Sequence, residues 1–559
     1  MTLSAPPREP TRTDRLLAAV GGLVAAYVSL AVADLVAHWV RPEASPVPAV
    51  GGAVVDRTPA AVEQWAIRVF GESDKAVLQL GILVILGLLA AGIGLLALRH
   101  RAAGSAAVGA FGLLGALAAV TRPDSDSALD AVPSLVGAAV GAVLLYVLTG
   151  RLLAPRGGVA ARTDLAGGQD VAGGPDRPDL AVGDDRVEQP ALTDRSDRRG
   201  FLIVAASAGL AATGAAALGR AAGSPVAENA AASRAALRLP RPASPAPPVP
   251  AGAQLRVPGI SPFLTPNRDF YRVDTALVVP KVDADRWRLR LHGSGVRAER
   301  VLTLPELMAR RVVERDITLA CVSNEVGGPY VGNARWLGVH LADLLREAGV
   351  RPPSEGGTAD QLVARSVDGM TIGTPVEEVM DGRDALLAFG MNGEPLPFTH
   401  GFPVRMLVPG LYGYVSACKW IESIELTTFD AYDAYWVPRG WAAEAPVKTQ
   451  SRIDTPRALA RPAAGTVMIA GVAWAQHRGI ARVEVRIDDG PWRDAGLAAE
   501  DSRDTWRQWA HPWQAAPGRH TLTVRATDGT GATQPEKRTG TMPDGAQGWH
   551  SVVVTVEGA

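Results

Sequence analysis

The chain has two cysteines, Cys321 and Cys418, among 559 residues. Two thiols cannot build a disulfide framework, a cysteine-rich zinc site or an iron–sulfur cluster, and no C-x-x-C-H stretch offers covalent haem attachment. A single thiolate can instead ligate a soft or high-valent metal, and at the end of a buried strand it leaves the other coordination positions open. Cys321 closes the β-type run Asp316 to Cys321 and so occupies such a place. Taken alone, a cysteine there is more often an inert core side chain, so its surroundings must decide. Cys418, in Ser416-Ala-Cys-Lys419-Trp420, reads as a small buried filler.

Around Cys321, from about residue 260 to 455, short β-type runs (Trp287 to Leu291, Asp316 to Cys321, Val404 to Val408, Trp420 to Leu426) alternate with helical patterns (Leu304 to Arg311, Leu341 to Ala348). No Gly-rich strand-to-helix turn of the dinucleotide type occurs, so the expectation is an α+β domain at 259–455 rather than a doubly wound one. From Pro456 onward come alternating strands, Val467 to Ala475, Val483 to Ile487, His520 to Ala526 and Val552 to Val556, with turns at Asp489-Gly490 and Asp528-Gly529. That pattern predicts an immunoglobulin-like β-sandwich at 456–559.

The first part of the chain is different. Leu16 to Val40, Ala76 to Leu98, Ala102 to Val120 and Ala131 to Leu153 are each near the ~20 apolar residues that cross a bilayer as a helix. Arg8, Arg12 and Arg15 precede the first, Arg99 and Arg101 separate the second and third, and Arg151 and Arg156 follow the fourth. The alternate loops hold Glu43, Asp56, Glu63, Glu72 and Asp74, and Asp124, Asp126 and Asp130. By the positive-inside rule the N-terminus is cytoplasmic. Residues 1–153 therefore read as a four-helix transmembrane region of a multi-pass cell-membrane protein, and 154–199, rich in Gly, Asp, Arg and Pro, as a disordered cytoplasmic loop. Arg198-Arg199-Gly200-Phe201-Leu202 before a mildly apolar run resembles a twin-arginine export signal opening a fifth transmembrane helix at 200–220. Everything beyond is then extracytoplasmic.

Residues 221–258 form a Pro/Ala-rich tether; Leu239 to Ala253 should be extended at ~3.1 Å per residue and hold the α+β domain away from the bilayer. His38 and His100 sit at opposite membrane faces and cannot share a haem iron. Asp34 and His38, one turn apart, are close enough to the interface to reach water, and Gly137 and Gly141 suggest plain helix packing. A net charge of -1 removes the electrostatic case for nucleic acid.

The segments Thr318-Leu-Ala-Cys321-Val-Ser-Asn324 and Gly332-Asn333-Ala334-Arg335-Trp336-Leu-Gly338 resemble the sulfite oxidase family of molybdopterin-dependent oxidoreductases. In that family a Cys-x-x-Asn stretch supplies the metal thiolate. The resemblance continues in family order through Thr265-Pro-Asn-Arg-Asp-Phe-Tyr271-Arg272, Asp368-Gly-Met-Thr371, Met391-Asn-Gly-Glu-Pro-Leu-Pro397, His400-Gly-Phe-Pro-Val-Arg405 and Ser416-Ala-Cys-Lys419. It implies that Cys321 is the ligand of a molybdenum–pterin cofactor and its electronic tuner. Asn267, Tyr271, Arg272, Asn324, Asp368, Thr371, His400, Arg405, Ser416 and Lys419 would bind that cofactor, with Arg405 and Lys419 at its anionic end.

The activity so implied is oxygen-atom transfer on a small S- or N-containing molecule. Electrons would be exchanged with a separate protein or a quinone, and the C-terminal domain would support a homodimer. Trp474, Trp492, Trp513, Gln534-Pro-Glu536 and Gly548-Trp549-His550 carry that last resemblance.

Three departures stand out. Glu325 and Val326 replace the family's basic residues after Cys-x-x-Asn, Val273-Asp274-Thr275 replaces its Arg-Asn-His, and the segment Trp436 to Trp441 offers no equivalent of its metal-side tyrosine. Sulfite itself is therefore not the expected substrate. The rival class is a non-catalytic membrane receptor that binds partners through the β-sandwich.

Overall fold

A computed structural model of the chain describes residues 11–59, 62, 65, 69–70, 74–122, 125, 127–153, 194–221 and 225–558. It divides into two compact units, Met1–Gly51 with Leu78–Thr121 and Ser125–Ala222, and Gly52–Val77 with Arg122–Asp124 and Gly223–Ala559.

The helices that come first are α1 (Arg12–Val40), α2 (Pro46–Arg57), α3 (Asp74–Arg99), α4 (Arg101–Val120), α5 (Val132–Leu153) and α6 (Asp194–Ala221). Arg12–Val40, Ala76–Arg99, Arg101–Val120 and Ala128–Leu153 are long and apolar enough to cross a membrane, and they coincide with the four expected stretches. In α6 the apolar part, Arg199–Ala215, is shorter than in these four. Phe201 of α6 is fully buried beside Leu148 of α5, and Tyr27 of α1 is hydrogen-bonded to Thr213 at 2.9 Å.

Small residues set the helix spacing: a side chain on Gly137 or Gly141 would run into Ser29, Ala33 or Ala25 of α1, so this pair packs one helix on another. Asp34 is exposed and accepts from Ser45, while Arg41 pairs with the buried Asp130 at 2.6 Å. Of the expected disordered loop at 154–199, Asp194 to Arg199 belong to α6 and the rest lies outside the described residues, as do Arg8, Glu63, Glu72, Asp124, Asp126 and Arg156.

The Pro/Ala-rich tether requires a correction. Residues Pro225–Ala236 form a helix, α7, whose Arg234 donates to the carbonyls of Leu396 and Pro395 at 2.8 and 2.7 Å. The proline-dense stretch is extended but not a free spacer. Ala243 N donates to Val312 O at 2.8 Å, Ser244 pairs with Val313, and Ala253 is fully buried. Proline removes donors but leaves carbonyls and intervening N–H groups able to pair with a sheet edge.

The following elements are β1 (Arg288–Gly293), β2 (Arg300–Thr303), α8 (Leu304–Met308), β3 (Val312–Ala320), β4 (Val331–His340), α9 (Leu341–Glu347), β5 (Gln361–Ser366), β6 (Thr371–Pro375), α10 (Val376–Met380), β7 (Leu386–Met391), β8 (Glu394–Pro395), β9 (Arg405–Leu407), α11 (Gly413–Ser416) and β10 (Ile421–Thr427). Thr303 starts α8 with a capping box to Glu306, and Pro305 fits its first turn, where no N–H partner is needed. The strands form two sheets. One has the order β2-β1-β10-β5-β6, with β1 and β10 parallel; the other has β3-β4-β7-β8, with β9 on β7. Both contribute to one apolar cluster that includes Leu289, Trp336, Phe389 and Phe402. This is the expected α+β arrangement.

Beyond it lie β11 (Gln450–Thr455), β12 (Gly465–Trp474), β13 (Ile480–Ile487), β14 (Arg493–Asp494), β15 (Gly496–Leu497), β16 (Arg507–Ala515), β17 (Gly518–Asp528) and β18 (His550–Val556). They make two antiparallel sheets, β11-β12-β16-β15 and β14-β13-β17-β18, around a second cluster with Ile469, Val485, Trp509 and Val524. Pro512 sits inside β16 opposite Met468, which hid that strand from a pattern search.

Candidate functional site

Cys321 is the first residue beyond β3. The β3–β4 ladder ends at Ala320 opposite Val331, and the intervening loop folds back on itself. Cys321 N donates to Tyr330 O at 2.9 Å, Asn324 N to Cys321 O at 3.1 Å, and Tyr330 N to Asn324 Oδ1 at 2.8 Å. Asn324 is thus the lock of the loop, buried beside the cysteine. Cys321 is itself buried, which pushes its thiol pKa up. The N–H groups of Ser323 and Val322, the Ser323 hydroxyl and the Lys419 charge act the other way by favouring the thiolate. A buried sulfur ringed by donors is suited to an anionic ligand.

Tyr271 links this sulfur to a cluster of cations. Its ring stacks on Phe270 at 5.2 Å between centroids, and burial, followed by the field of Cys321, raises the pKa of its hydroxyl, while the Arg405 charge opposes the rise. It stays protonated and remains a donor. Phe270 can lie here because Gly332 has no side chain to meet its ring.

Arg405, on β9, is 5 % exposed. Its Nη1 donates to His400 O at 3.2 Å, its guanidinium lies 5.0 Å from the Trp336 ring centroid, and its buried Nε has no acceptor. Burial lowers its pKa to about 10. His400 is buried and donates from Nε2 to Asn267 O at 2.9 Å; burial, then the Arg405, Lys419 and Arg272 charges, lower its pKa to about 4. It is neutral near pH 7. Lys419 donates to Asp274 at 2.7 Å, and Arg272 pairs with the same carboxylate at 3.0 Å. Asp368 lies close by: burial raises its pKa first, with Asp274 adding to the rise and Lys419 opposing it.

The structure thus brings Cys321, Asn324, Tyr271, Arg272, Asp368, His400, Arg405 and Lys419 into one neighbourhood. Three expected ligands are differently employed. Asn267 reaches His400 through its backbone oxygen, while its amide is held by Glu394, Met391 and Asn392. Thr371 Oγ1 accepts from Tyr435 N at 3.1 Å and Tyr432 OH at 3.3 Å, pinning the 432–435 loop. Ser416 is fully buried and donates within its own turn to Leu411 O and Tyr412 O. Cys418 is 0 % exposed and packs in the core, as a filler would. Asp274 was noted in the sequence only as a departure; its partner Lys419 is 145 residues away, so no local spacing announces the pair.

A molybdenum–pterin group fits these residues. Arg405 is a buried cation with an unfilled donor, which an anionic end would satisfy. Among the described residues no group of three or more His, Cys, Asp or Glu side chains could hold a metal. One protein thiolate leaves a metal's other positions open to the sulfur ligands of such a cofactor.

The family model described as an oxidoreductase molybdopterin binding domain matches residues 276–436. The chain is similar to mitochondrial sulfite oxidase of Homo sapiens, at 30% identity over 320 residues, covering 49% of this chain and 58% of that protein. It is also similar to nitrate reductase [NADH] 1 of Oryza sativa subsp. japonica, at 33% identity over 196 residues, covering 31% of this chain and 21% of that protein. The sulfane dehydrogenase SoxCD structure from Paracoccus pantotrophus aligns with a TM-score of 0.46 and 24% identity, over 54% of this chain and 85% of that one. The chain spans only 52% to 58% of the length of the first curated relatives it matches. With its cysteine loop and buried cations, the chain carries an oxidoreductase molybdopterin-binding domain that is similar to sulfite oxidases, and its cofactor is a molybdenum–pterin.

Proposed function

We propose that this protein is a membrane-anchored oxidoreductase that moves an oxygen atom to or from a small sulfur- or nitrogen-containing substrate outside the cytoplasm. The observation that carries the reading is the convergence of one buried, donor-ringed thiol with a buried arginine whose Nε lacks an acceptor. When bound, the molybdenum–pterin supplies two-electron oxygen-atom exchange.

The chain's own groups do the rest. Ser323 and Val322 oppose the effect of burial by donating to the Cys321 sulfur and would stabilise it as the thiolate when it ligates the metal. Arg405, with Arg272 and Lys419, binds the cofactor's anionic end, and Asp274 moderates their combined charge. His400 stays neutral and positions the loop at Asn267 through its Nε2–H, and Tyr271 presents a protonated hydroxyl near the sulfur. Glu325, an exposed carboxylate side chain in the cysteine loop, disfavours sulfite and favours a neutral S-oxide or N-oxide.

Arg12 and Arg15 in the first turn of α1, Arg99 at the end of α3, Arg101 at the start of α4, and Arg151 near the end of α5 support an inside N-terminus, with α6 as a fifth crossing and the catalytic part outside. Residues 456–559 are read as an immunoglobulin-like domain that allows a homodimer, and electrons pass to or from a separate protein or a quinone. Assaying the detergent-purified chain on S-oxides and N-oxides with a reduced artificial donor, and on sulfite with an acceptor, tests the substrate class. Turnover of an oxide with none of sulfite is expected; sulfite as the sole good substrate would reverse the assignment.

A further inference from the structure

The loop that carries Cys321 is gripped from both sides by the C-terminal β-sheets. After the cysteine, Gly328 O accepts from Arg452 Nη1 at 2.8 Å. Arg452 is itself held by Asp454 at 2.7 Å and by Ser261 Oγ at 3.0 Å. Gly327 has φ +82° and lies so close to the His550 imidazole that any side chain there would collide with the ring. His550 is fixed in turn because Ile453 N donates to its Nδ1 at 3.0 Å.

Before the cysteine, the backbone of Thr318 is used outward. Its N–H donates to Asp504 O at 2.9 Å and its carbonyl accepts from Gln476 Nε2 at 2.9 Å, while its hydroxyl accepts from Trp506 N at 2.8 Å. Gln476 and Trp506 are 1 % and 2 % exposed. The strand end and the loop therefore have partners on β11, β18 and the segments flanking β12, β13 and β16. A thiolate at the tip of such a loop keeps its place only if the loop does, because ~1 Å of displacement at a reacting centre costs about 100-fold.

The geometry points to Arg452 and His550 as positioning residues for the Cys321 sulfur, with the C-terminal sheets acting as part of the metal site's frame. The inference rests on Cys321 being the metal ligand, but its test does not. In full-length protein purified in detergent from a host without the cofactor, the rate of Cys321 alkylation by iodoacetamide reports the loop, and the fully buried Cys418 in the same molecule reports global opening. Gly327→Ala should raise the Cys321 rate at least tenfold and leave Cys418 unchanged, and adding His550→Ala should restore most of the protection.

Arg452→Gln should raise the Cys321 rate several-fold and shift the metal–thiolate absorption of loaded protein, while Arg452→Lys, which keeps a donor for Gly328 O, should rescue both. Parallel rises at both cysteines, no change in Gly327→Ala, or no rescue in the double variant would each overturn the inference. Loss of the ligand reading would look different: Cys321→Ser would retain its molybdenum with an unchanged absorption spectrum.

Discussion

Replacing Arg405 with methionine should leave the cofactor-free protein at least as stable as the parent while abolishing cofactor retention. The magnitude follows from the burial of an ion. At about 1.4 kcal/mol per pH unit, a fall of the guanidinium pKa from its ordinary value to about 10 means that burying the charge costs about 3 kcal/mol. Against this, the guanidinium makes one hydrogen bond to His400 O and packs on the Trp336 ring face, each worth about 1 kcal/mol. Methionine fills a similar volume, so a net gain of about 1 kcal/mol is expected, as for other buried ions exchanged for apolar groups.

Two assays on full-length detergent-purified protein decide the matter: denaturant unfolding of cofactor-free parent and variant, and molybdenum and pterin content of both made with cofactor supply. The account requires equal or higher stability with at least a tenfold loss of cofactor. A variant destabilised by about 2 kcal/mol or more that still carries a full complement would show that Arg405 is a structural residue, and the anion-site argument would fail.

Three further outcomes follow from the same geometry. His400 has a native pKa of about 4, below its unfolded value, so the unfolded state binds the proton first and stability falls as pH drops from about 6.5 toward 4; His400→Asn should remove about 2 kcal/mol of the stability difference between pH 7 and pH 5 in urea unfolding, and an unchanged difference would refute the buried neutral imidazole. Asp274→Asn takes away the carboxylate that Arg272 and Lys419 share and should destabilise the cofactor-free protein by about 3 kcal/mol, less once an anion is bound, which thermal melting with and without cofactor would read. Cys418→Ala should cost about 1–2 kcal/mol through a small cavity yet leave molybdenum content unchanged, and loss of metal would assign it a role that its core position denies.

What could be read from the sequence was whatever a single strand or motif carries in order. Cys321 at a strand end, Asn324 three residues later, and the apolar stretches that became α1, α3, α4 and α5 are of this kind. Pairings across long separations were not legible. Asp274 with Lys419, Arg452 with Gly328 and His550 with Gly327 each join residues from distant elements. Thr371 and Ser416 show the converse: they stand in the right motifs, yet Tyr435 N and the Tyr432 hydroxyl occupy the first and carbonyls of its own turn the second. The proline-dense stretch before residue 254 misled for a physical reason, since composition predicts extension but not whether a sheet edge, here β3, receives the extended chain.

The most direct test of the central claim is the metal content of Cys321→Ser, made full-length with cofactor supply and compared with the parent by mass spectrometry of molybdenum alongside circular dichroism and melting. The account predicts a folded protein that has lost its molybdenum or, if the pterin-binding residues retain some, its metal–thiolate absorption. Stoichiometric molybdenum with an unchanged absorption spectrum in that variant would contradict the assignment of Cys321 as the ligand.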